Sequence, residues 1–137
     1  MKSTLNSLLI TAGLTLSAVA AYGQTNIVAQ VPFAFKTAAG MQPAGEYATV
    51  PVSTSAGVMM LENMDTRHGS MLGIGANSGN PYDKTPRLVF RCGSESGCAL
   101  SEVKLGDGRA WTYKAPHWKT SETERVAVVY FETKLAE

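Results

Sequence analysis

From residue 27 to residue 116 the chain never holds one hydrophobic pattern for long. Short runs of β-branched and aromatic residues are cut at close intervals by glycine, proline, asparagine and aspartate. That spacing leaves no room for a long amphipathic helix and suits short strands joined by tight turns. Residues 27–36 (IVAQVPFAFK) alternate, with Val31, Phe33 and Phe35 on one face. Pro32 has no amide hydrogen and therefore suits the start or the edge of a sheet strand. In Gln42-Pro43-Ala44-Gly45 the proline presets φ and the glycine tolerates positive φ, which predicts a turn feeding a strand over 46–52.

The runs 58–63 (VMMLEN) and 70–76 (SMLGIGA) flank a polar turn and read as a hairpin, although periodicity alone would also allow the Met-rich run a helix. Residues 77–86 (NSGNPYDKTP) are a loop. The runs 87–92 (RLVFRC) and 98–104 (CALSEVK) form a second hairpin across GSESG, and 110–114 (AWTYK) follows the turn Gly106-Asp107-Gly108. Ser121 and Glu124 fit a capping box. At most a short helical turn follows, because 126–131 (VAVVYF) is a strand sequence that could lie at a sheet edge. The expected fold is all-β: one small β-sandwich or partly open barrel of about seven or eight short antiparallel strands.

The first 23 residues are expected to stand apart as a signal peptide, with the all-β domain over 24–137. Lys2 supplies a positive start, residues 5–21 are apolar and uncharged, and small residues allow cleavage after Ala20 or Gly23. The same run is near the lower limit of ~17–25 residues for a membrane span, but it has no basic stop-transfer flank. No membrane span is expected after cleavage, and the location is periplasmic or extracellular. Lysine plus arginine number 12 against 11 acidic residues, a near balance that becomes even once Lys2 is removed. No run of like charge exists, which argues against nucleic acid as a partner.

Cys92 and Cys98 are the only cysteines. In an oxidising compartment a nearby pair at a hairpin mouth forms a disulfide, within the ~4.4–6.8 Å Cα separation that such a bond requires. A redox site would need C-x-x-C at a helix start. Zinc would need two further ligands, and only the isolated His68 and His117 are present. Gly73-Ile74-Gly75 through Gly79 looks like a phosphate loop, but its third glycine is one place late and Pro81 and Pro86 forbid the helix behind it. Met41, Met59, Met60, Met64 and Met71 are soft ligand types for copper, yet serve equally as core filler. No metal and no cofactor is expected.

Trp111, Tyr113 and Trp118 are the candidate ligand-binding residues, since aromatic faces stack on sugars and on other proteins; the alternative is that Trp111 and Tyr113 belong to the core. Ser101, Glu102 and the histidines supply hydrolase residue types without a nucleophile elbow, so no catalytic residue is assigned and the protein is expected not to be an enzyme.

Val31-Pro32-Phe33-Ala34-Phe35, then Gln42-Pro43-Ala44-Gly45-Glu46-Tyr47, Leu88-Val89-Phe90, Leu100-Ser101-Glu102-Val103 and Glu124-Arg125, fall in an order that resembles a family of short exported bacterial proteins of acidobacterial type. Its blocks read VPFxF, LPAGEY, LVF, LSEV and ER. The chain departs from that pattern at the two cysteines, where relatives more often have a tighter aromatic-flanked turn. It also departs in running on into VAVVYF. The resemblance implies export and a shared β framework, and carries over no catalytic residue. The function expected is an exported non-enzymatic structural or interaction module of the envelope or extracellular space, its partner another envelope protein or a glycan. The alternative is a carbohydrate or small-ligand binding module using surface aromatics.

Overall fold

The computed structural model describes residues 25–53, 57–114 and 122–135. The expected signal segment, His117, Trp118 and the Ser121 cap lie outside the described residues. Eleven strands and no helix occur among those described. They are β1 (Thr25–Val31), β2 (Phe35–Thr37), β3 (Gly40–Gln42), β4 (Gly45–Ser53), β5 (Val58–Asn63), β6 (Gly69–Ile74), β7 (Ala76–Asn77), β8 (Arg87–Gly93), β9 (Gly97–Lys104), β10 (Ala110–Thr112) and β11 (Glu124–Leu135).

The strands join in one continuous curled sheet, in the order β3-β2-β9-β8-β11-β1-β4-β5-β6. β10 pairs with β9 beyond the point where β2 stops, and carries the short β7. The result is a partly open barrel rather than a sandwich. Four of the strands have only two or three residues, too short for a period-2 pattern to declare them, which is why eleven stand where seven or eight were expected. Pro32 divides the first alternating run into β1 and β2, and β2 then pairs parallel with β9 through Phe35↔Cys98 and Lys36↔Ala99. The sheet is therefore not antiparallel throughout.

The final strand divides between two partners. β11 lies between β8 and β1 in the strand order, residues 124–130 pairing with β8 and residues 131–135 with β1. Each half is paired on one side only, so most of VAVVYF has β8 as its single ladder partner, and Glu124 opens a strand rather than a helical turn.

Alternation sets the two faces of the sheet. β5 and β8 bury every second residue, and the inward set meets at Phe35, which packs edge-on against Tyr47 and Phe90 at centroid distances of 5.2 and 5.1 Å. Phe33 adds a further edge contact to Phe90 at 5.0 Å. These rings bring large apolar area to the centre of a small barrel, together with the quadrupole preference for T-shaped packing. The polar turn between β5 and β6 is tied down from inside by Asn63, which is buried. Its Oδ1 accepts from the Asp65 and Thr66 amides at 2.9 and 3.1 Å, and its Nδ2 donates to the Tyr47 hydroxyl at 3.2 Å.

Candidate functional site

β6 pairs on one side only, with β5, and no ladder joins it to β2 or β9. The barrel is open along this seam, and side chains close it at two points. At one end the Ser70 hydroxyl of β6 donates to Gln42 Oε1 of β3 at 3.1 Å, both residues being buried. At the other end Trp111 of β10 lies against glycine backbone. A Cβ added at Gly57 would stand 2.5 Å from the indole Cδ1 and Nε1, and one added at Gly75 would stand 2.7 Å from Trp111 Cβ. Only glycine allows the hairpin to approach the ring this closely.

Between these closures lies a cleft of about 450 Å³, within the ~300–1,000 Å³ of ordinary small-molecule sites. Leu72 and Ile74 of β6 form one wall and Leu100 of β9 another, while Lys36, Thr37, Tyr113 and Lys114 are also in the lining. The local sequence explains the opening. Gly73 sits at φ +80°, where side-chain-bearing residues are disfavoured, and its backbone comes near Ala38 without extending a ladder. Tyr113 is held because its amide donates to Ser101 O at 2.8 Å, which prolongs the β9–β10 pairing by one residue.

Tyr113 is nine-tenths buried, and its hydroxyl has no hydrogen-bond partner among the described residues. Burial pushes its pKa up to about 12, because the phenolate would lose its hydration. The group therefore remains a neutral donor under any physiological condition. Lys36 and Lys114 are exposed, and no carboxylate lines the cleft.

Of the residues expected to bind a ligand, Trp111 and Tyr113 do share the inner face. Both are buried, so they present no open stacking platform; Trp111 fills the core and Tyr113 forms cleft wall. Trp118 lies outside the described residues. Leu72, Ile74, Leu100, Lys36 and Lys114 were not singled out from sequence. Their only signal was the Gly73-Ile74-Gly75 break in a strand, which reads as a bulge or close approach.

The remaining candidates resolve into structural roles. Cys92 and Cys98 are a directly facing pair of the β8–β9 hairpin and form a disulfide, with Cα atoms 3.9 Å apart, nearer than the usual range. The methionines divide: Met59 is core, while Met60 and Met71 are cross-strand partners on the outer side of the β5–β6 hairpin. His68 lies in the exposed turn. No group of three or more His, Cys, Asp or Glu suited to a metal exists among the described residues. The glycine run ends a strand with no helix behind it.

The most perturbed carboxylate is Asp83, held well below the usual carboxylate range, first by its hydrogen bond from Arg87. Arg87 meets it at 2.9 Å, and Lys104 bridges it to Glu102 at 3.3 and 2.8 Å. Two cations balance two anions there, an arrangement that clamps the 77–86 loop onto β8 and β9. Compared with protein-family models, with curated proteins and with solved structures, the chain matches none.

Proposed function

We propose that this protein is an exported, non-enzymatic binding module whose open barrel seam receives a small, largely apolar molecule. The observation that carries the reading is the 450 Å³ cleft between β6 and β2 with β9, walled by Leu72, Ile74, Leu100 and Tyr113. The Cys92–Cys98 bond and the apolar start of the chain support export, as does the resemblance to exported bacterial proteins.

Amide chemical-shift mapping with a panel of small amphipathic and sugar ligands tests the reading. Shifts should cluster at Thr37, Gly73, Leu100 and Lys114, and Ala38→Trp should abolish them by filling the cleft. A panel that produces no clustered shifts removes the proposal.

A second reading, an interaction module, is favoured by the unpaired edge of β6, with Met71 and Ile74 exposed. Edge strands invite strand addition. Sedimentation would show association that Met71→Pro abolishes; a monomer at every concentration counts against it.

A further inference from the structure

The cleft has a charge sign, and the sign specifies its ligand. Elsewhere on the described surface Arg67, Arg87, Arg91, Lys104, Arg109 and Lys134 meet carboxylates, while Lys84 and Arg125 make no ion pair among the described residues. Lys36 and Lys114 line the cleft with no ion-pair partner among the described residues, and no acidic side chain lines it with them. Two ammonium groups beside an apolar hollow, with no carboxylate in its lining, make a local positive potential.

We infer that the cleft takes a small amphipathic acid, its apolar body against Leu72, Ile74 and Leu100 and its carboxylate between Lys36 and Lys114. This rests on the binding reading above and narrows its ligand class. The walls set the order of contributions: burial of the apolar body supplies most of the affinity, while the lysines select the head group. Exposed ammonium–carboxylate contacts are individually weak, so the pair together discriminates by roughly tenfold. Added salt should erode that discrimination, since screening acts on exposed charges and leaves apolar burial in place.

Calorimetric or shift titrations with decanoate and decanol, on the purified protein and on K36Q/K114Q, test this. Both lysines are exposed, so the double variant keeps its core contacts. The expected result is decanoate binding roughly tenfold tighter than decanol, and a double variant that loses this preference while decanol affinity is unchanged. Equal affinity for acid and alcohol, or a double variant that binds decanoate as well as the parent, overturns the acid-head inference and leaves the cleft reading standing. Binding of neither compound, with no shifts at Gly73 and Leu100, overturns both.

Discussion

Ser70 Oγ donates to Gln42 Oε1 at 3.1 Å across a seam where no backbone ladder runs. One is on β6 and the other on β3, the two ends of the strand order, so this buried pair fastens the first edge of the sheet to the last. Ser70→Ala should cost about 1–2 kcal/mol, because it leaves the Gln42 carbonyl short of a donor in a buried place. Chemical denaturation measures it, and a double-mutant cycle with Gln42→Leu should show coupling between the two sites.

Tyr113→Phe should raise stability by about 1 kcal/mol, since it removes a buried hydroxyl without an acceptor. Chemical denaturation measures it, and a less stable variant would contradict the cost assigned to the buried hydroxyl.

The same tyrosine makes an alkaline signature. Its folded-state pKa, about 12, lies above the ordinary value of 10.0. The unfolded chain therefore releases the proton first as pH rises. Stability from this group is complete below pH 10 and is lost progressively between pH 10 and 12. Thermal melts across that range should show a steeper decline for the parent protein than for Tyr113→Phe.

Gly75→Ala should destabilise by roughly 1–3 kcal/mol through overpacking. The added methyl would stand 2.7 Å from Trp111 Cβ and 3.1 Å from Tyr113 Cε1, so the ring pair must shift and the cleft wall with it. Melting temperature reports the first effect, and shift mapping at Lys114 the second.

Non-reducing mass spectrometry should find the chain two hydrogens lighter than its sequence mass, with no free thiol, as the Cys92–Cys98 bond requires. Reduction should lower stability by roughly 2–2.5 kcal/mol, the small value appropriate to a short closed loop, and leave the fold in place.

The all-β class, both long hairpins and the disulfide were legible in the chain because each rests on local physics. Alternation in 58–63 and 87–92 dictates which side chains face inward, whereas 98–104 breaks it at a bulge opposite Val89 and Phe90. Pro43-Ala44-Gly45 sets a turn, and two cysteines at facing positions of one hairpin need no distant partner. Asn63 was not legible as an anchor, since its value depends on Tyr47, sixteen residues away in sequence and reached only after β4 and β5 pair. The position of β11 was equally hidden. VAVVYF reads alike wherever it lies in a sheet, and its partners, β8 for residues 126–130 and β1 from Phe131 onward, come from distant parts of the chain.

The cleft belongs wholly to the tertiary structure. Leu72 and Leu100 are strand residues and Tyr113 directly follows β10. They become a site because β2 stops after three residues and β6 bulges at Leu72-Gly73 before re-pairing at Ile74, so the sheet curls without closing. Sequence alone determined which faces are apolar and where the chain turns, because those follow from neighbours one to four residues apart. Which edges meet, and where they leave a hollow between two lysines, was decided only when strands far apart in the chain packed together.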